Sequence, residues 1–168
     1  MEITTDVTLR GSVWHKAINN LQEIFRPRTN YNIYMLSMAI GIMYDKRLEK
    51  IDSDNGEEAS VPRTVLINNA NDKLDLIFQA AILSTNTMEL TEDDRLKYAF
   101  SDNSKINRLN LLTEFANFGV TKLVELIGES TLESMENIKN FLISSVEGRN
   151  FDIDDIPDEL IADEFFIE

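Results

Sequence analysis

The chain has 168 residues, of which 43% are apolar and 8% aromatic, and it contains no cysteine. This composition is typical of one globular domain and excludes wholesale disorder, and the lack of cysteine excludes disulfides, thiolate catalysis and thiolate metal sites. The net charge of −14 disfavours binding to nucleic-acid phosphates or anionic lipid and favours basic partners.

The negative charge is unevenly distributed. Residues 1–50 carry seven Lys/Arg and five Asp/Glu, whereas residues 51–168 carry nine and twenty-five. Residues 149–168 alone hold eight acids and one base, so about half of the net charge lies in this C-terminal segment. Because many basic proteins handle DNA or RNA, we expect a binding role toward such a protein.

The N-terminal part predicts an arm followed by a helix. Residues 1–11 read as a loose arm or a short strand. Ser12 can cap a helix that continues to about Phe25, since apolar residues recur there every three or four positions. Pro27 ends this helix, because proline disfavours a helical conformation in the residue before it.

A second helix is predicted over Ile33–Arg47, with Asn30 or Asn32 as its cap. It is apolar on almost all sides, which is typical of a buried central helix. The alternating segments Leu48–Ile51 and Val61–Val65 then predict a small β-hairpin near residues 48–66, with Pro62 at an edge position.

Further helices are predicted in the second half of the chain. One starts near Asn69, a short one follows the Thr91 cap, a long one covers Ser104–Gly128, and the last covers Ser130–Gly148. The sequence therefore predicts an all-α or mainly α compact bundle of about five to six helices over residues 12–148, followed by the acidic segment 149–168.

Catalytic and metal-binding motifs are not found in the sequence. His15 is the only histidine and has no neighbouring acid or nucleophile in the sequence, which favours a capping or packing role. The acidic run from Asp52 to Glu58 does not fit a calcium loop, because Ile51 would occupy its first ligand position. We therefore expect no enzyme, no metal and no cofactor.

The C-terminal segment mixes its acids with eight large apolar residues: Phe151, Ile153, Ile156, Leu160, Ile161, Phe165, Phe166 and Ile167. Three interpretations remain open. The segment docks on its own domain as a short helix, folds onto a basic partner, or imitates DNA phosphates with its carboxylates. The residues assigned to partner binding are Phe151, Asp154, Asp155, Asp158, Phe165 and Phe166.

A second, smaller set of candidates is basic. Arg26 and Arg28 lie beside the N-terminus of the second predicted helix, where they could hold a phosphate, and Lys46 and Arg47 lie at its other end. Weak contact with nucleic acid is the functional interpretation of these residues, and ordinary surface placement is the alternative.

Four motifs resemble a known family: Ile24-Phe25-Arg26-Pro27-Arg28, the helix from Tyr34 to Ile42, Lys46-Arg47-Leu48, and Glu114-Phe115-Ala116-Asn117-Phe118-Gly119-Val120. Together they resemble small accessory proteins found beside bacterial Dnd (DNA phosphorothioation) modification and restriction systems. The resemblance covers residues 20–127, with Phe115 and Phe118 in place of a tyrosine and a glycine.

This resemblance implies a phage-defence component without a recognised catalytic site, which works in a complex near DNA. Asn117 and Gly119 disfavour a helix, glycine by about 1 kcal/mol relative to alanine, so a close helix crossing or a bend is expected there.

The resulting prediction is a cytoplasmic, non-enzymatic accessory or adaptor protein of a DNA-linked anti-phage defence or restriction system. No signal peptide or membrane span is predicted, since the longest apolar stretch, Ile33–Tyr44, is far below about 20 residues. The alternative is an acidic, phage-encoded inhibitor that imitates DNA in a restriction or CRISPR enzyme.

Overall fold

A computed structural model describes residues 3–51, 58–101 and 107–147. These residues form two short strands and six helices, and the fold is mainly α, as predicted. The elements are β1 (Val7–Arg10), α1 (Ser12–Leu21), α2 (Thr29–Met43), β2 (Glu58–Val61), α3 (Arg63–Ser84), α4 (Glu92–Phe100), α5 (Arg108–Glu125) and α6 (Thr131–Glu147). Within the described ranges, no helix is long and apolar enough to cross a membrane.

Helices α2 and α5 form the centre of the domain and contact each other along most of their length. Their backbones approach closely where Ser37 and Gly41 of α2 meet Phe115 and Gly119 of α5. A Cβ atom on Gly41 would lie 2.0 Å from the Phe115 carbonyl oxygen, so only glycine fits there. A Cβ atom on Gly119 would likewise lie 1.7 Å from the Ser37 carbonyl oxygen, so of the close crossing or bend predicted at Gly119 the structure has the close crossing.

The two strands pair in an antiparallel sheet in which Val7 lies opposite Val61. The predicted hairpin is thus wrong in its first strand. A strand does occur near residues 48–66, but its partner is β1 and not Leu48–Ile51. Burial explains this pairing. The strand Val7–Arg10 places Val7 and Leu9 in the core, whereas Leu48 is exposed. The predicted turn at residues 52–57 lies outside the described residues.

Helix α3 begins at Arg63, six residues before the predicted start at Asn69. Asp6, in the segment before β1, makes this early start favourable. Its carboxylate accepts a hydrogen bond from the Arg63 backbone N–H at 2.7 Å, and so caps the helix from a distant part of the chain. The N-terminal segment is therefore an integral part of the domain.

The other helix boundaries differ from the prediction by a few residues. α1 ends at Leu21, before Phe25. The predicted caps of α1 and α2 are wrong, because Gly11 precedes α1, Arg28 precedes α2, and neither helix start has a side-chain cap hydrogen bond. α2 begins at Thr29 and ends at Met43, because Asp45 adopts a left-handed conformation (φ 52°) that stops the helix. α5 begins at Arg108, where the Asn107 side chain accepts from the Asn110 backbone N–H.

Two predicted helix starts are confirmed by their hydrogen bonds. The Thr91 side chain accepts from the Asp94 backbone N–H at 3.2 Å and caps α4. The Ser130 hydroxyl accepts from the Glu133 backbone N–H at 3.1 Å at the start of α6. Both are the local capping pattern that the sequence indicated.

Candidate protein-binding groove

The surface of the described domain contains an apolar groove of about 700 Å³ between α2, α3 and α6. Its floor is formed by α2, and its two walls are α3 and α6. The lining residues are Met35, Ala39, Ile42, Met43, Asp45, Ile77, Ala80, Ser84, Leu142 and Ser145. We call this feature the α2–α3–α6 groove.

The groove exists because α2 is apolar on all sides but is covered on only part of its surface. The face with Ser37 and Gly41 packs against α5. The opposite face carries Met35, Ala39 and Ile42, and Ala39 is exposed to solvent. A helix that is apolar all round is normally buried all round. The described residues thus leave one apolar face of a central helix uncovered.

Small side chains on α3 keep the groove open. Ala80 and Ser84 follow Ile77 on the same helix face, and neither is large enough to fill the space above α2. On the other wall, the ring of Tyr44, just after α2, stacks on Phe141 of α6 with centroids 6.4 Å apart. This contact fixes α6 against the end of α2.

The end of the groove at Asp45 is held by hydrogen bonds to the backbone. The Asp45 carboxylate oxygens each accept from the Asn86 N–H at 2.9 Å, and one also accepts from the Thr87 N–H at 3.1 Å. This carboxylate therefore joins the turn after α2 to the turn after α3. Both of its oxygens accept internal hydrogen bonds, so Asp45 has a structural role at the end of the groove.

Positive charge lies next to the groove on both walls. Lys73 precedes Ile77 by about one turn of α3, and Lys139 precedes Leu142 by almost one turn of α6; both lysines are exposed. Because residues three or four apart share a helix face, each lysine lies on the side of its helix that borders the groove. An acidic amphipathic segment would match this pattern of charge and apolarity.

The exposed face of α6 extends the apolar surface beyond the groove. Leu132, Met135 and Leu142 lie on one stripe of this helix, and their side chains are 60%, 48% and 39% exposed. The exposed Lys139 lies between Met135 and Leu142 on this face, so the stripe combines apolar residues with one positive charge. Apolar residues grouped on one face beside a groove are typical of an interaction surface.

A second cavity, of about 540 Å³, is polar. It lies between β1, residues 49–51 and the first half of α5. Arg10 of this cavity is ion-paired with Glu58 at 2.8 Å, which ties β1 to β2. Asn117, another lining residue, is hydrogen-bonded within the fold as described below, so this cavity offers a less distinctive site than the groove.

The four basic residues assigned to nucleic-acid contact do not form one surface. They stand at opposite ends of α2, whose 15 residues span about 22 Å. Arg26 is exposed, and the Arg28 guanidinium donates to the Asn69 amide oxygen. At the other end, the Lys46 ammonium lies 5.8 Å from the centre of the Phe118 ring.

Arg47 is held by the fold. Its Nε and Nη2 donate to the Thr87 hydroxyl and carbonyl at 3.0 and 3.1 Å, and its Nη1 donates to Glu114 at 2.8 Å. The guanidinium also lies 5.9 Å from the Phe115 ring centre. All three of its nitrogens are therefore engaged, and the structure accounts for Arg47 without a ligand.

The residues of the late motif likewise have internal roles. The Trp14 indole N–H donates to the Asn117 oxygen at 3.1 Å, and the Asn117 amide nitrogen donates to the Leu48 carbonyl at 3.1 Å. Asn117 thereby joins α1, α5 and the segment after α2. With Gly119 at the crossing and Glu114 paired to Arg47, this motif specifies helix packing.

Tyr34 is the described side chain whose protonation is most strongly affected by its surroundings. Burial raises the pKa of its phenol, and the hydrogen bond with the Thr113 hydroxyl at 3.0 Å opposes this only in part. The Thr113 hydroxyl donates to the Leu109 carbonyl at 2.8 Å, so Tyr34 is the donor to Thr113. The pair links α2 to α5 and has a structural role.

His15 lies exposed in the first turn of α1, where its backbone N–H donates to the Gly11 carbonyl at 3.2 Å. The acidic runs at residues 52–57 and 152–158 lie outside the described residues. So do the six residues assigned to partner binding: Phe151, Asp154, Asp155, Asp158, Phe165 and Phe166.

Comparisons of the chain with protein-family models, curated proteins and solved structures found no match. The candidate site is therefore argued from the geometry and sequence of this chain.

The sequence did not single out the groove residues as a site. The apolar pattern instead predicts a buried central helix that contains Met35, Ala39, Ile42 and Met43. A signal was nevertheless present, since a helix that is apolar on every side needs cover on every side. Only the structure shows that α3 lies beside this helix with Ala80 and Ser84, whose side chains are too small to provide that cover.

Proposed function

We propose that this protein is a non-catalytic adaptor that binds a protein partner with a basic surface. The observation that carries the proposal is the composition of residues 149–168, which combine eight acids with eight large apolar residues. The acids favour a basic partner, and the apolar side chains supply the burial that charge alone does not provide. A purely solubilising tail would not need them.

The described domain supports this proposal through the surface that precedes the segment. α6 carries the exposed apolar stripe of Leu132, Met135 and Leu142 and leads directly toward residue 149. A partner held by the segment would thus meet further apolar surface on the domain.

The cellular setting that we propose is a bacterial DNA-linked defence or restriction system. It is supported by the resemblance of the four sequence motifs to Dnd-associated accessory proteins. A DNA-handling component of such a system is a basic protein of the kind that the acidic segment favours. Weak nucleic-acid contact by Arg26, Arg28 and Lys46 is a subsidiary part of this proposal.

The proposal is tested by affinity purification of the full chain from its native cell, followed by identification of the proteins captured. The same experiment with Phe151, Phe165 and Phe166 all changed to alanine should lose the partner. Phe100→Ala is the matched control, because Phe100 is also an aromatic residue, 61% exposed, on α4. Retention of the partner by the triple variant would contradict the proposal.

Salt separates the adaptor from the acidic DNA mimic. A complex held by apolar side chains should persist as salt rises, whereas a charge mimic should dissociate steeply and should compete with DNA for its target. Steep salt dependence together with competition by duplex DNA would favour the mimic. The net charge of −14 is the observation that favours this second candidate function.

A further inference from the structure

We propose that residues 149–168 dock in the α2–α3–α6 groove of their own chain when no partner is bound. The inference concerns the regulation of the segment to which the proposed function assigns partner binding. Docking itself is a property of the isolated protein and is measured without a partner.

The first argument is the uncovered face of α2. Met35, Ala39, Ile42 and Met43 recur at helical spacing on the side away from α5, and they floor an open groove. Burial of apolar surface is favourable roughly in proportion to its area. The described residues contain no element that covers this face, so an apolar segment elsewhere in the chain would gain by doing so.

The second argument is the place where the chain leaves the described domain. Ser145 lines the groove, and α6 ends two residues later at Glu147. Phe151 is four residues beyond Glu147, and four extended residues span up to about 14 Å. Met35 and Met43 are about 12 Å apart along α2, so the segment reaches the whole groove without a linker.

The third argument is charge. Lys73 and Lys139 flank the groove, and the segment carries eight acids against one base. Its apolar residues favour the uncovered face of α2, and its acids favour the flanking lysines. A basic segment would be repelled by the same lysines.

Docking would limit partner binding, a consequence that rests on the proposed function. Phe151, Phe165 and Phe166 cannot fill the groove and contact a partner at the same time. A partner must therefore displace the segment, and weakening the docked state should increase the apparent affinity for that partner.

The chain contains no cysteine, so docking can be measured by disulfide trapping in the full-length protein. Ala80→Cys places a thiol on the groove wall, and it is combined in turn with Ala162→Cys, Glu159→Cys or Asp154→Cys in the segment. The control partner is Asn110→Cys, an exposed residue of α5, which packs on the opposite side of α2. A tethered segment reacts with any nearby thiol at some background rate. We therefore compare the rate of disulfide formation at Ala80→Cys with the rate at Asn110→Cys for the same segment position.

We expect at least one pair with Ala80→Cys to form an intramolecular disulfide about tenfold faster than the same segment position with Asn110→Cys. Changing Phe151, Phe165 and Phe166 to alanine should remove the difference. Ala39→Glu, which places a negative charge on the groove floor and repels the acidic segment, should lower the Ala80→Cys rate to the Asn110→Cys rate. Asn110→Glu should leave the Ala80→Cys rate unchanged. Equal rates at Ala80 and Asn110 for all three segment positions would overturn the inference.

Gel mobility identifies the occupant. A disulfide within one chain supports docking in cis, whereas a disulfide between two chains would show that the groove holds the segment of a second copy and would overturn the proposal. If the disulfide forms at Ala80→Cys but affinity purification captures no partner, the adaptor function is contradicted and the docking is not. If affinity purification captures a partner through the three phenylalanines but no disulfide forms at Ala80→Cys, only the docking is contradicted.

Discussion

Gly119 of α5 lies so close to the carbonyl oxygen of Ser37 in α2 that a Cβ atom at position 119 would stand 1.7 Å from that oxygen. The same atom would stand 2.9 Å from the Gly41 backbone nitrogen. The obstacles are backbone atoms, which cannot move without separating the two helices. The crossing of α2 and α5 therefore depends on glycine in both helices.

Gly119→Ala and Gly41→Ala should each lower the free energy of unfolding by about 2–3 kcal/mol, despite the gain of about 1 kcal/mol in helix propensity. Urea unfolding followed by circular dichroism measures this loss. Ser37→Ala is the control at the same crossing. Among the described residues, the buried Ser37 hydroxyl has no hydrogen-bond partner, so its removal should leave stability unchanged or raise it. Tolerance of alanine at both glycines would contradict the close crossing.

Asn117→Ala should cost about 1–3 kcal/mol, because the Trp14 indole N–H and the Leu48 carbonyl would lose their partner. Asn117→Asp should also destabilise, since a carboxylate can accept from Trp14 but cannot donate to Leu48. Trp14 is the only tryptophan, so its fluorescence reports on the site directly. Asn110→Ala, on an exposed position of the same helix, should change neither the fluorescence nor the stability.

Arg47→Lys should lower the free energy of unfolding by about 1–3 kcal/mol, because lysine can keep the pairing with Glu114 but not the two hydrogen bonds to Thr87. Lys46→Ala, at the exposed neighbouring position, should have little effect on stability. Thermal unfolding of both variants is the measurement. If Arg47→Lys left stability unchanged, the contacts of its guanidinium would be of little structural value and the nucleic-acid interpretation would regain support.

Asp6→Ala should destabilise the protein by about 1 kcal/mol, since the Arg63 N–H at the start of α3 would lose its cap. Asp6→Asn should cost less, because an amide oxygen can still accept that hydrogen bond. Hydrogen exchange of the first amides of α3 locates the effect, and Thr5→Ala at the adjacent exposed position is the control. Equal protection of these amides in Asp6→Ala and the wild type would contradict the capping role.

Local patterns in the sequence predicted two of the helix caps and the helical class. The Thr91 and Ser130 caps are hydrogen bonds across three residues, so the residue types alone indicated them. The apolar period predicted the helical class in the same way. The start of α3 could not be predicted, because its cap comes from Asp6, 57 residues earlier in the chain.

The pairing of the two strands also could not be predicted from local sequence patterns. Leu48–Ile51 and Val7–Arg10 both alternate, and sequence proximity favoured the first as the partner of β2. Packing decided otherwise, because Val7 and Leu9 complete the core while the Leu48 carbonyl is bound by Asn117. Strand pairing is set by which apolar faces can be buried together, and this is a property of the whole domain.

By itself, the sequence determined a mainly helical domain, the caps at Thr91 and Ser130, and the concentration of acid in residues 149–168. These follow from short-range backbone chemistry and from composition. Only the tertiary structure decided that Arg47 and Asn117 hold the fold together, that the basic residues stand apart, and that one apolar face of α2 lies open beside the end of α6. Each of these depends on which distant surfaces meet, and that is settled by packing over the whole chain.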